Sequence, residues 1–143
     1  MKVSARNQFP GTVTQLQLGA VNAEVHVALD GGEVIVASIT KESVATLDIQ
    51  IGQPVLALVK APQIILVTDF GGYQISARNQ LPGIVSAIKP GPVNAEVDVE
   101  LVGGQSIVAT VTNDSVSSLG LTKGKAATVV FKAGAVILAV PQS

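Results

Sequence analysis

Three short polar motifs, each present twice, contain most of the side chains in this chain that could bind a ligand. They are the pentapeptide SARNQ, a Thr-x-x-Ser pair and a Lys-Ala pair, beginning at Ser4 and Ser76, at Thr40 and Thr112, and at Lys60 and Lys132. Together they offer hydroxyls, backbone N–H groups, one arginine and one lysine per copy, all of which donate hydrogen bonds. No carboxylate, histidine or thiol accompanies them in both copies. A set of donors without acceptors predicts a ligand that only accepts, which is an oxyanion.

The surroundings of these motifs favour a dianion. Thr40 and Ser43 stand at the start of a predicted helical turn, where unpaired N–H groups and the helix dipole attract negative charge. Lys60 would add a charge-assisted hydrogen bond, the stronger class of such bonds. Ala5 and Ala61 are small enough for the backbone to approach a ligand closely.

Each motif also has a purely structural interpretation. A Ser or Thr before a helical turn is usually only a cap. Arg6 and Asn7 could bond loop carbonyls at the start of a strand, and Lys60 could be a solvated charge. Retention of all three motifs in both copies, while Gln15 is replaced by Ala87, favours the ligand interpretation.

The motifs recur because the chain is an internal duplication. Ser4 and Ser76 are 72 positions apart, and residues 4–68 laid on 76–140 without a gap share 30 identities in 65 positions. The segment DFGGYQI joins the copies, and its two glycines interrupt regular structure. The sequence predicts two domains, residues 1–68 and 76–143, with a linker at 69–75.

Each copy has the pattern of a small all-β domain. The segment AEVHVALDGGEVIVASI alternates apolar and polar residues around a Gly-Gly reversal, which predicts a hairpin. QPVLALVKA with QIILVT, and KAATVVFKA with AVILAV, are predicted as further strand pairs within each copy. About five strands with one short helical turn predict two tandem OB-like, five-stranded Greek-key barrels.

Composition argues against several functions. The 143 residues carry nine Lys and Arg against ten Asp and Glu, and aromatic residues make up only 3%, which disfavours nucleic-acid binding. Cysteine is absent, and no apolar run reaches the length of a membrane span. The single histidine, His26, is Asp98 in the other copy, so no catalytic or metal-ligating set occurs twice. We therefore expect a cytoplasmic protein that is not an enzyme and that contacts neither nucleic acid nor membrane.

Small units with apolar residues on both faces of their strands predict an oligomer. VIVASI and VLALV are nearly continuous apolar runs, and a sheet that is apolar on both faces is normally covered on both. Units of about 70 residues also bury little surface alone. We expect barrel faces to pack between chains.

The order and spacing of SARNQFPG, VNAEV, ITKESV and LVKA resemble the molbindins, whose Mop domains bind molybdate. The resemblance covers nearly the whole chain, since the motifs occur twice. The chain is thus similar to the tandem-Mop cytoplasmic molybdate-binding proteins. It implies OB-like units in a homotrimer, with molybdate or tungstate between subunits and no catalytic cofactor. One chain would supply SARN and Lys-Ala, and its neighbour Thr-x-x-Ser. The implied pocket residues are Ser4, Ala5, Arg6, Thr40, Ser43, Lys60 and Ala61, with Ser76, Ala77, Arg78, Thr112, Ser115, Lys132 and Ala133 in the second copy.

Two details of the site also follow from the resemblance. Some arginines of this motif act through the main chain in the family, which leaves the guanidinium to point elsewhere. A second kind of site lies on the threefold axis, where three copies of a backbone N–H converge on one anion. It is implied at the segments VNA, which are Val21, Asn22 and Ala23 and, in the second copy, Val93, Asn94 and Ala95. No metal would be ligated directly by side chains.

The function expected from these observations is molybdate and tungstate binding for storage or homeostasis. The alternative is a ligand-sensing regulatory module acting on a transporter or a transcription partner, since Mop units also occur attached to such proteins. The sequence contains neither a DNA-binding helix pair nor a nucleotide-binding P-loop, so we expect no output domain within it.

Overall fold

The computed structural model describes residues 1–142, so Ser143, the last residue of the second predicted domain, lies outside it. The first repeat contains β1 (Asn7–Leu18), β2 (Asn22–Leu29), β3 (Val34–Thr40), α1 (Lys41–Leu47), β4 (Pro54–Val59), a 3-10 turn (Ala61–Gln63) and β5 (Ile65–Val67). The second contains β6 (Asn79–Pro90), β7 (Asn94–Leu101), β8 (Ser106–Thr112), α2 (Asn113–Leu119), β9 (Ala126–Phe131), a 3-10 turn (Ala133–Ala135) and β10 (Ile137–Ala139).

The strands form two five-stranded antiparallel sheets. Their orders are β10-β4-β1-β2-β3 and β5-β9-β6-β7-β8. The predicted all-β fold, with two OB-like five-stranded units and one short helix in each, is confirmed.

The last strand of each repeat belongs to the sheet of the other repeat. β5 pairs with β9, where Ile65 lies opposite Val130, and β10 pairs with β4, where Ile137 lies opposite Leu58. The predicted pairing of QPVLALVKA with QIILVT, and of KAATVVFKA with AVILAV, was therefore wrong. Each sheet is completed by a strand from the opposite repeat.

The 3-10 turn after β4 explains this exchange. A tight two-residue turn would have returned the chain along β4, but Ala61–Gln63 carries it away from that strand. Pro62 and Ile64 then lie beside Thr110 and Thr112 of β8 in the other repeat, and Ile64 is buried. Burial of this apolar side chain in the neighbouring unit favours the exchanged arrangement.

The core of each unit lies under the central hairpin. β2 alternates in burial, with Val25 and Val27 fully buried, as the period-2 pattern predicts. The hairpin turns of the two units touch each other through backbone. A Cβ atom at Gly31 would lie 2.6 Å from the carbonyl oxygen of Gly103, so glycine is required for the turns to approach this closely.

Two buried asparagines, one from each SARNQ motif, form hydrogen bonds to the main chain of the opposite unit. Asn79 donates from Nδ2 to the Val36 carbonyl and accepts the Val36 N–H at Oδ1, both at 2.8 Å. Asn7 makes the same two bonds, also at 2.8 Å, to Val108. Each amide side chain thereby satisfies main-chain groups of β3 or β8, the edge strands of the two sheets, which is what a buried polar group requires.

The strand exchange can be tested by disulfide cross-linking, because the chain has no cysteine of its own. Leu56 lies opposite Ala139 across β4 and β10, so Leu56→Cys with Ala139→Cys should oxidise to a disulfide. The matched control is Leu56→Cys with Val67→Cys, which bridges the two strands of one repeat and should stay reduced. Peptide mapping by mass spectrometry distinguishes them, and cross-linking of the control pair alone would contradict the exchange.

Removal of the hydrogen bonds between the Asn79 side chain and Val36 should destabilise the protein. Asn79→Ala leaves the N–H and carbonyl of Val36 buried without a partner, so we expect a loss of about 1–3 kcal/mol in the free energy of unfolding. Urea denaturation measures this loss. Gln17→Ala, an exposed position on β1, is the control and should change stability little. Equal effects of the two substitutions would mean that the hydrogen bonds of Asn79 contribute little to the free energy of unfolding.

Candidate oxyanion-binding site

The register between β6 and β9 brings the SARN and Lys-Ala motifs together. Asn79 pairs with Phe131, so the residues just outside the ladder, Arg78 and Lys132, lie at the same end of the sheet. An open cleft of about 640 Å³ is formed there. It is lined by Ser76, Ala77, Arg78, Lys132 and Ala133, with Ile65 and Val67 of the exchanged strand, Ile75 and Val130. The corresponding register in the first repeat, with Asn7 opposite Val59, places Arg6 near Lys60.

The Thr-x-x-Ser motifs cap the two helices. Thr40 Oγ1 accepts the Ser43 N–H at 3.0 Å and lies 2.8 Å from Ser43 Oγ. Thr112 and Ser115 repeat this arrangement at 3.1 and 2.8 Å. The capping interpretation is therefore confirmed, and both hydroxyls of each motif are held at one place on the surface.

Within one chain, the hydroxyl pair lies in a different cleft from SARN and Lys-Ala. Thr112 and Ser115 border a cleft of about 380 Å³ that also contains Pro62 and Asn94. Ile65, which is 59% exposed, lines both clefts and stands between them. The structure thus unites two of the three predicted pocket elements and leaves the third on the far side of this strand.

The VNA segments lie beside the hydroxyl motifs. Asn22 is paired with Thr40 across β2 and β3, and the Val21 carbonyl accepts the Lys41 N–H at 2.8 Å. The second repeat has the same contacts, with Asn94 opposite Thr112. Ala23 and Ala95 are buried, whereas Val21 and Val93 are exposed. The candidate axis segment and the capped helix therefore form one continuous surface in each unit.

Both SARN arginines are paired with a glutamate of the opposite repeat. Arg78 donates from Nη1 to Glu24 Oε2 at 2.6 Å and from Nη2 to Glu24 Oε1 at 3.0 Å. Arg6 forms the equivalent ion pair with Glu96. The expectation that the motifs lack a carboxylate in both copies was wrong, because this glutamate belongs to the repeated VNAEV segment and reaches across from the other unit.

The two arginine clusters differ in their third member. His26 Nε2 lies 2.8 Å from Glu24 Oε1, whereas the position equivalent to His26 in the other cluster is Asp98. Hydrogen bonds from Arg78 and then from His26 hold the pKa of the Glu24 carboxyl below its ordinary value of 4.5. Glu24 therefore stays ionised to lower pH than a solvated glutamate.

The lysines are the uncompensated cations of the candidate site. Lys60 and Lys132 are exposed, and in residues 1–142 neither ammonium group takes part in the ion pairs formed by the arginines. Each precedes a 3-10 turn and stands beside a small residue, Ala61 or Ala133. Ala61 is buried, whereas Ala133 is partly exposed, so the backbone beside the lysine is accessible in the second copy only, where it suits an anion next to a compact positive charge.

No group of three or more His, Cys, Asp or Glu residues in positions 1–142 is arranged to hold a metal ion. Over the same residues, neither helix has the length and apolarity needed to cross a membrane.

Sequence reasoning did not identify the roles of two pairs of residues that organise the site, although Asn7 was expected to bond main-chain carbonyls. Asn7 and Asn79 form hydrogen bonds between the units. Glu24 and Glu96 form ion pairs that neutralise the arginines. All four lie in segments that are identical between the repeats, SARNQ and VNAEV. That identity was the available signal, but the partner of each side chain lies in the other repeat, which no pattern within one repeat reveals.

Fold and site together define a tandem pair of five-stranded β-domains that exchange their last strands and carry the same set of polar motifs. Residues 3–66 and 75–138 each match the TOBE domain. The chain belongs to the TOBE domain family and contains two copies of it.

Two molybdenum-related proteins are similar to nearly the whole of this chain. The molybdenum transport protein ModE of Azotobacter vinelandii is 49% identical over 140 residues, covering 98% of this chain and 52% of that protein. The molybdenum-pterin-binding protein MopA of Rhodobacter capsulatus is 45% identical over 141 residues, covering 99% and 53%. The chain thus spans about half the length of these relatives.

One solved structure matches over the full length of both chains. It is the cytoplasmic molybdate-binding protein ModG in a form with molybdate bound, which is 51% identical and superimposes with a TM-score of 0.96. The alignment covers 99% of this chain and 100% of that one.

The Arg78–Glu24 ion pair should make stability depend on pH. Because the folded-state pKa of Glu24 lies below 4.5, its stabilising contribution is complete above about pH 4.5 and is lost as the pH falls through the folded pKa. Glu24→Gln should lower the free energy of unfolding at pH 7 by less than about 1 kcal/mol, as for other exposed pairs.

Chemical denaturation of wild type and Glu24→Gln at several pH values measures this difference. The two proteins should converge in stability as the pH falls below the folded-state pKa of Glu24. Glu100→Gln, which removes an exposed carboxylate from β7, is the control. A difference that grows toward acidic pH would contradict the assignment.

Proposed function

We propose that this chain binds molybdate in oxyanion pockets formed by its two TOBE domains. The observation that supports this most strongly is the likeness to molybdate-bound ModG at 51% identity over both full chains. The cleft that joins SARN to Lys-Ala is the structural feature that would receive the anion. On this basis we also propose the finer assignment to the molbindins within the TOBE family.

The interface pockets are completed by a neighbouring subunit in this proposal. One chain offers Arg78 and Lys132 in one cleft and Thr112 in another, separated by Ile65, so the three elements require a second chain to meet. Ile65 and its equivalent Ile137 are 59% and 57% exposed. Equivalent exposed apolar side chains in both units favour a repeated contact between chains. We propose a homotrimer.

A second class of site is proposed at the VNA segments on the threefold axis of the trimer. Val21 and Val93 are exposed in the monomer, and the alanines behind them are buried and fixed. Three symmetry copies of such a segment can direct backbone N–H groups to a single point on the axis.

Binding in these pockets follows from matching a dehydrated dianion with fixed donors. An anion loses its hydration on entry, and burial of an unpaired charge is costly. The ammonium of Lys132, the capped hydroxyls and the backbone N–H groups of SARN can replace the lost water. Donors spaced for a large tetrahedral oxyanion hold sulfate and phosphate less well, and tungstate, which has nearly the size and charge of molybdate, should bind similarly.

We propose storage or buffering of the oxyanion in the cytoplasm as the biological role, without catalysis. ModG, which matches this chain over its full length, is a cytoplasmic protein. The second candidate is a sensing module, which is favoured by a different observation. Several relatives are about twice as long and include the DNA-binding regulator ModE of Escherichia coli, at 39% identity.

The pocket lysine provides a direct test. Lys132→Ala removes a charge-assisted hydrogen bond of about 1.5–3 kcal/mol, so molybdate binding at the affected pockets should weaken roughly ten- to a hundredfold. Isothermal titration calorimetry measures the affinity and the number of anions bound. The matched control is Lys123→Ala, an exposed lysine that borders a different cleft. Unchanged affinity in Lys132→Ala would remove this lysine from the site.

A further inference from the structure

We propose that Glu24 and Glu96 are positioning residues that limit the affinity of the oxyanion pockets. Each holds the SARN arginine of the opposite repeat in an ion pair, so that, within residues 1–142, lysine is left as the cation beside the pocket that forms no ion pair. The inference rests on the proposed function and makes an unusual prediction, because loss of the carboxylate should tighten anion binding.

The geometry shows that the guanidinium is occupied. Both carboxylate oxygens of Glu24 accept from Arg78, at 2.6 and 3.0 Å, so the pair is bidentate. A tetrahedral oxyanion would present the same two-oxygen edge to the same fork. Since Arg78 lines the cleft together with Lys132, the carboxylate of Glu24 competes with any anion for this donor.

The pairing also sets the charge of the cleft. Arg78 and Glu24 together contribute no net charge, which leaves the ammonium of Lys132. Without the carboxylate, the unpaired guanidinium of Arg78 would add a second full positive charge beside the cleft. Its two N–H donors would then be free to turn toward a bound anion. Added charge strengthens binding of every dianion, so Glu24 keeps the bound anion exchangeable.

The two repeats should respond differently. Glu24→Gln would leave Arg78 and His26, which lies 2.8 Å from the carboxylate, without an acidic partner. Glu96→Gln would leave Arg6 near Asp98, which stands two residues along β7 on the same side of the strand. Asp98 can take over part of the ion pair, so the second substitution should have the smaller effect.

Calorimetric titration of the full chain with sodium molybdate, and separately with sodium sulfate, tests the proposal. Glu24→Gln should bind both anions about three- to tenfold more tightly than wild type, with a steeper dependence on salt concentration. Glu96→Gln should show a smaller gain. Glu100→Gln is the matched control, because it removes the same charge from an exposed position that borders another cleft, and it should bind like wild type.

A double substitution tests whether Glu24 acts through Arg78. In the background Arg78→Gln, the further change Glu24→Gln should no longer raise affinity. A purely structural role predicts the opposite of the main result, since a loosened pocket binds more weakly.

Weaker or unchanged binding in both Glu24→Gln and Glu96→Gln would overturn the inference. So would a gain that persists without Arg78. These results differ from failure of the proposed function, in which wild type itself would bind no molybdate and the inference would fall with it.

Discussion

The exchange of β5 and β10 between the repeats is the constraint on which the rest of the structure depends. Because each sheet takes its last strand from the other repeat, neither unit is complete alone. Three further kinds of contact join the two repeats. They are the hydrogen bonds of the buried asparagines, the arginine–glutamate ion pairs and the contact between the turns at Gly31 and Gly103. The two domains therefore behave as one body, and each candidate pocket is built from both repeats.

This interdependence separates the roles of the residues in SARNQ. The asparagine is buried and holds main-chain groups of the opposite unit, so its contribution is structural. The arginine is paired with a glutamate of the opposite unit. The serine and the alanine line the cleft, where they can offer a hydroxyl and backbone N–H groups. Charge for an anion then comes from lysine, whose compact ammonium forms no ion pair in the part of the chain that the structure describes.

Much of this architecture was predictable from the sequence, and the limits have a physical cause. The 72-residue repeat, the hairpin around Asp30 and Gly31, and the Thr40 cap depend on local patterns, and all of them occur in the structure. The partner of Ile65 was not predictable, because alternation identifies a strand and not its neighbour. The same holds for Glu24, whose importance arises only when Arg78 reaches it from the other repeat. In repeats that share these motifs, contacts within and between copies have the same sequence signature.

The central claim is that this chain assembles into a particle that takes up molybdate selectively. Native mass spectrometry of the full chain with molybdate, followed by excess sulfate, tests it most directly, since one spectrum gives both subunit number and bound anions. We expect a trimer that carries several molybdates and keeps them in the presence of sulfate. A particle that stays free of molybdate, whatever its subunit number, would contradict it and leave the polar motifs with structural roles alone.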